Sequence, residues 1–237
     1  MIFNLDLLAD DPVAFLVLFS ALGTAILLGL VLHEASHAFA ADQLGDRLPR
    51  SRGRLTLNPL AHLDPAGTLL IALVGFGWAK PVPVNPNAAK NPKAALAITA
   101  FAGPATNFLI AAVASLPFRL GSLEWFSLYR AQDTSRWGAD EYAGYYLGAI
   151  VVISIILGIF NLIPIAPLDG FKVAVGVLPR ELSRSFARLE RIGPVVLISL
   201  IALPFLTGGQ ISPLSDFMFP LLETLTEFFT GVDGRIN

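Results

Sequence analysis

The sequence predicts an all-α polytopic membrane protein, a bundle of about 4–6 transmembrane helices with a small membrane-associated β-hairpin or re-entrant segment. Three observations predict it. Of the 237 residues, 54% are hydrophobic and only 14% charged, against about 25% charged in a soluble domain. Mean hydropathy is +0.66. Apolar stretches recur along the whole chain, separated by basic or proline-rich segments.

The first stretch, about Val13–Ala41, is longer than the roughly 20 residues a spanning helix needs. The second, about Gly67–Trp78, is broken by glycines and followed by KPVPVNP, so it is expected to be re-entrant or packed inside the bundle. Spans follow at about Ala94–Leu120, Tyr142–Ile163 and Ile192–Leu206. Phe217–Phe229 is apolar but carries Glu223 and Glu227, which suits the membrane interface. The segments Arg54–Asn58 and Lys80–Asn85 alternate apolar and polar residues, the pattern of short strands. Their prolines would confine Pro81, Val82, Pro83, Val84 and Asn85 to an edge. One integral-membrane domain over 1–237 is expected, with a core at about 12–172 and C-terminal helices at about 173–237.

Basic residues set the orientation. None precedes Arg47, seven lie between Arg47 and Lys93, and five between Lys172 and Arg191. Those two segments are expected to be cytoplasmic and the N-terminus outside. With Asp6, Asp10, Asp11 and no basic residue, the N-terminal segment does not read as a cleavable signal. The first span and Tyr142–Ile163 then run parallel, with their C-terminal ends on the cytoplasmic side. A net charge of −2 gives no footing for nucleic acid, and the lack of cysteine excludes disulfides and thiolate metal ligands.

The chemistry is concentrated in the first span. His33, Glu34 and His37 form H-E-x-x-H, and they are the only ionisable residues from Pro12 to Ala41. Ionisable groups at membrane depth are costly and point to function. Residues four apart share a helix face, so His33 and His37 can hold one metal ion with Glu34 beside it as a base. A His-and-carboxylate donor set suits zinc. A third ligand is needed, leaving a position for water. The candidate is Asp169, in NLIPIAPLDGF, where Pro164 and Pro167 break the preceding helix. The plain alternative for Asp169 is a helix cap. His62, the only other histidine, is expected to be structural or interfacial, and Lys172 a solvated basic end.

HEASH with NLIPIAPLDG resembles the site-2 protease family, the M50-type intramembrane zinc metalloproteases, in a small form without a PDZ or CBS domain. LNPLAHLDPAGTLL at Leu57–Leu70, GFGWAKPVPVNP at Gly75–Pro86 and AGPATNF at Ala102–Phe108 extend the resemblance over about Leu30 to Phe171. The resemblance implies one zinc ion per chain on His33, His37 and Asp169, with Glu34 activating water. It implies that Asn161 sits near the metal and steadies an oxyanion, and that Asn107 lies on a neighbouring helix. For both asparagines the plain alternative is an interhelical hydrogen bond, and small residues such as Gly103 read simply as close helix packing. The Pro81–Asn85 edge would receive unwound substrate as an added strand. Expected partners are transmembrane protein substrates and the lipid bilayer, and the expected location is a cell membrane, the inner one in a bacterium, with the site opening to the cytoplasm. The competing classes are a metal-ion transporter or channel and a catalytically inactive scaffold. A transporter would need a line of polar residues across the membrane, and none is evident beyond the His33–Asp169 cluster.

Overall fold

The computed structural model describes residues 10–74, 77–126 and 134–232. Its described residues are helical apart from loops and one isolated antiparallel bridge. Eight helices matter here: α1 (Pro12–Gln43), α2 (Pro65–Val74), α3 (Pro92–Ala114), α4 (Ala139–Leu162), α5 (Asp169–Val177), α6 (Arg180–Ala187), α7 (Gly193–Leu206) and α8 (Pro213–Thr230). Three of them, α1, α3 and α4, are long and apolar enough to cross a membrane. A fourth crossing is counted if α6 and α7, with the turn between them, form one bent span.

The long helices start where their caps dictate. Asp11 accepts from the Ala14 amide (2.9 Å) with Pro12 in the first turn, and Asn91 accepts from Ala94 (3.2 Å) with Pro92 next. At the start of α4, Glu141 Oε2 accepts from the Gly138 amide (2.9 Å). α4 ends at Leu162, with Ile163 extended before Pro164. α3 stops at Ala114, before a separate turn at Leu116–Arg119 that holds Pro117. The expected span to Leu120 is therefore divided in two.

The packing register fixes how α1, α3 and α4 run. Ala14, Ala21 and Ala25 of α1 pack on Tyr145 and Ala149, near the start of α4. Further along, a Cβ on Gly29 would lie 2.7 Å from Leu157. Both helices therefore run the same way, and small residues let them approach closely. α3 runs against them: Asn107 bonds the Gly29 carbonyl (3.2 Å), while Thr99 meets His37. Ala111 and Ala114 pack on Val151, Val152 and Ile155, and Phe108 fills the space over Gly158. The C-terminal half of α1, the N-terminal half of α3 and the end of α4 thus converge in one place.

Neither expected strand forms. Among the described residues, Arg54–Asn58 and Lys80–Asn85 make no ladder and hence no β-hairpin; the bridge joins Leu63 to Ala79, and the Lys80 amide donates to the His62 carbonyl (2.7 Å). Pro81, Pro83 and Pro86 remove the donors a ladder would need. Instead the Arg54 guanidinium binds the carbonyls of Ala61 and Lys80, and the Asn85 amide donates to Asp46. Because Leu63 and Ala79 touch, the segment between them leaves and returns to one place. Its helix α2 has ten residues, about 15 Å, half a bilayer core. Of the GFGW motif, Gly75 and Phe76 lie outside the described residues. At the foot of α1, Arg50 grips Asp42 through two bonds (2.9 and 2.8 Å), which raises the guanidinium above its ordinary pKa.

Candidate metal centre

His33 and His37, one turn apart on α1, and Asp169, the first residue of α5, bring three ligand atoms together. His33 Nε2 lies 3.0 Å from His37 Nε2, and Asp169 Oδ2 lies 3.1 and 3.0 Å from them. All three residues are buried. Among the described residues this is the one group of His and acidic side chains placed to hold a metal ion.

The outer nitrogens decide what the inner ones can do. His37 Nδ1 lies 2.6 Å from the Thr99 carbonyl, which can only accept, so Nδ1 carries the proton. Asn107 is fully buried and its amide donates to the Gly29 carbonyl (3.2 Å). That turns its Oδ1 toward His33 Nδ1, 2.5 Å away, which must therefore donate. In the neutral rings both Nε2 atoms are then bare lone pairs, aimed at each other and at a carboxylate oxygen. Three acceptors facing one another repel unless a positive charge sits among them. A shared proton can bridge one pair, and a metal ion relieves all three. A tetrahedral zinc spaces its ligand atoms about 3.3 Å apart, so a spread of roughly 0.3 Å would seat it. The donor set therefore fits zinc, with both histidines oriented by acceptors on α3, the usual support of a metal-ligating imidazole.

Two further residues complete the surroundings. Lys172, on the next turn of α5, places Nζ 3.4 Å from Asp169 Oδ1. Gly103 of α3 faces the cluster: a Cβ there would stand 2.5 Å from both Nε2 atoms. Any side chain at 103 would occupy the space the ligands share.

The remaining sequence candidates are placed as follows. Glu34 is half-buried beside His33 and has no hydrogen bond or ion pair among the described residues. Asn161 is half-buried and donates to Leu157 of its own helix (3.0 Å), with no bond to the cluster. His62 is not with the ligands: it is fully buried, and its Nε2 bonds the Thr56 carbonyl (2.8 Å). Pro81–Asn85 forms a loop in which the Val82 and Val84 amides have no partner among the described residues. Sequence reasoning missed Thr99, whose contribution is a backbone carbonyl. It read Gly103 as packing only. Lys172 carried a usable signal, since residues three apart on a helix are neighbours.

The family model described as Peptidase family M50 matches residues 124–203, a range that contains Asp169. YwhC of Bacillus subtilis, which carries the name of a zinc metalloprotease, is 33% identical over 179 residues, covering 76% of this chain and 78% of YwhC. Rip2 of Mycolicibacterium smegmatis, named likewise, is 29% identical over 203 residues, 82% of this chain and 71% of Rip2. Rip3 of Mycobacterium tuberculosis shares 34% over 137 residues, 52% of this chain and 29% of Rip3. No solved structure matches the chain at a significant level. On an identity of one in three across three quarters of both chains, this protein belongs to peptidase family M50, the site-2 proteases.

Proposed function

We propose that this chain is an intramembrane zinc metalloendopeptidase that hydrolyses peptide bonds in or near the transmembrane segments of other membrane proteins. The observation that carries the reading is the convergence of three proton-free donors from α1 and α5, with an unpaired carboxylate one residue from His33.

His33, His37 and Asp169 would hold one zinc ion. When bound, zinc lowers the pKa of a coordinated water toward about 7 and polarises a carbonyl. Glu34, free of competing bonds, takes a proton from the attacking water and returns it to the leaving amine. Asn107 and the Thr99 carbonyl hold the imidazoles in the tautomer that ligation needs. Asn161 assists an oxyanion once its amide is released from Leu157. A helix hides its carbonyls in internal hydrogen bonds, so the substrate unwinds and lies along Pro81–Asn85, where the Val82 and Val84 amides are open.

The whole chain acts as one membrane domain. α6 and α7 as one bent span add to the three clear spans for four crossings, the low end of the expected 4–6, while α8, with Asp216, Glu223 and Glu227, lies at the interface. The basic segments Arg47–Lys93 and Lys172–Arg191 face the cytoplasm of a bacterial cell, the N-terminus lies outside, and the site opens inward. Metal transport gains no support, since the described residues hold no second ligand cluster to pass an ion onward.

The deciding experiment measures zinc per purified chain and cleavage of a single-span substrate in detergent. Wild type is expected to hold about one zinc and to cut, Glu34→Gln to hold zinc without cutting, and Asp169→Ala to lose both. Full zinc in Asp169→Ala, or wild-type turnover in Glu34→Gln, overturns the reading.

A further inference from the structure

Helix α6 and the 3-10 turn Arg188–Arg191 after it distribute charge very unevenly. Arg180, Arg184 and Arg188 recur every four residues and Arg191 continues the row, so all four share one face. Leu182, Phe186 and Leu189 occupy the other side. One flank is held by the protein: Phe186 stacks on the buried Phe171 (centroids 5.0 Å apart, 26°), and Ser183 Oγ donates to the Val175 carbonyl (2.7 Å). The rest is uncovered. Leu182, Leu189 and Ile192 are about half exposed, and the four arginines are exposed with no ion pair or hydrogen bond among the described residues.

The neighbour on the C-terminal side says what surrounds this segment. After a 61° bend comes α7, an apolar helix with Val195, Ile198 and Phe205 each about two-thirds exposed or more. Such a surface suits lipid and not water. Helix α6 therefore lies where an apolar helix enters the bilayer, with Leu182, Leu189 and Ile192 toward the chains and the arginines toward the headgroups. Arg184, Arg188 and Arg191, together with Ala187 and Glu190, also line an open cleft of about 610 Å³. Against these four positive charges the segment sets only Glu181 and Glu190.

We propose that the Arg180, Arg184, Arg188 and Arg191 ridge is a docking surface for the anionic headgroups of the membrane leaflet on the Asp169 side. The occupant follows from charge complementarity and from the continuity of the ridge with α7. A mechanical link follows as well. Phe171, on which Phe186 stacks, is two residues beyond Asp169, so anionic lipid steadies the segment that presents Asp169. The docking itself does not depend on the peptidase reading.

The test uses the full chain in lipid nanodiscs. The sequence has no cysteine, so Leu182→Cys gives a unique site for an environment-sensitive dye. Emission is expected to shift to the blue when phosphatidylglycerol is mixed into phosphatidylcholine, and added salt should weaken the shift. In detergent, native mass spectrometry of the same two lipids should show phosphatidylglycerol preferred. Each single Arg→Gln change should lower that preference about fivefold, from the usual interaction of one basic residue with an anionic surface, and the four together should abolish it. The single variants, each on an exposed side chain, guard against a quadruple variant that misfolds. Equal emission in both lipid mixtures overturns the proposal, as does an unchanged preference in all single variants. If inorganic phosphate reverses the shift where chloride at equal ionic strength does not, the ridge reads a free anion and the lipid assignment falls.

Discussion

Gly103→Ala should destroy metal binding while leaving the helices in place. The added Cβ would stand 2.5 Å from His33 Nε2, 2.5 Å from His37 Nε2 and 2.6 Å from His33 Cε1. An unstrained contact of this kind needs about 3.5 Å, so each ring must retreat by roughly 1 Å. A zinc site tolerates only about 0.2 Å in its ligand distances. The required shift is about five times larger, and both rings are pinned from behind by Asn107 and Thr99. Losing a supporting contact to a ligand costs about 10–100-fold in affinity. Displacing two ligands together should exceed about a hundredfold. The helix itself should not suffer, since alanine is a better helix former than glycine by roughly 1 kcal/mol. The assay is zinc per chain after dialysis against a graded chelator, with circular dichroism as a fold check. Gly23→Ala in α1, where nothing lies within 4 Å of the new Cβ, is the control and should keep its zinc. If Gly103→Ala holds one zinc with the chelator resistance of wild type, Gly103 does not lie against the two ligand imidazoles and the reasoning fails.

Other outcomes follow from the same geometry. Asn107→Leu leaves His33 without its acceptor and should lower zinc affinity about 10–100-fold, read by the same competition assay. Glu34→Gln should keep zinc and lose about 10²–10⁴-fold in turnover, the usual size of a general-base contribution, measured as cleavage of a single-span substrate. Lys172→Met removes a partner that is 45% exposed and 3.4 Å away. Exposed pairs contribute about 0–1 kcal/mol, so zinc affinity should change less than about fivefold, and a larger loss would make Lys172 a structural necessity. His62→Ala should leave zinc content unchanged, since His62 is outside the cluster, although the fold around Thr56 should weaken.

The histidines and Asp169 were legible in the sequence because the physics that marks them is local. An ionisable group in an apolar helix stands out by residue type alone, and the proline-broken LDG turn stands out by composition. The parallel run of α1 and α4 was legible too, since the distribution of basic residues demands it and the packing of Ala14 and Ala21 on Tyr145 agrees. The strands were misread because alternation at Lys80–Asn85 also describes a proline-rich loop; Pro81 and Pro83 cost the ladder its donors. The role of Thr99 was invisible, because a carbonyl belongs to every residue. Gly103 could not be separated from ordinary small-residue packing until the distance to both imidazoles was known. Asn107 needed three dimensions as well: its bond to Gly29 is what turns its oxygen toward His33.

The two halves of the metal centre are far apart in the chain: His37 and Asp169 are separated by 132 residues. A chain grows from its N-terminus at about 5–20 residues per second, so the paired histidines exist for on the order of ten seconds before their third partner is made. During that interval α1 can already sit in the membrane, yet its imidazoles lack the Thr99 carbonyl, Asn107 and Asp169. The centre therefore assembles only after α3 and α4 have been made. A growing chain carries its HEASH segment among other newly made membrane proteins without the means to cut them.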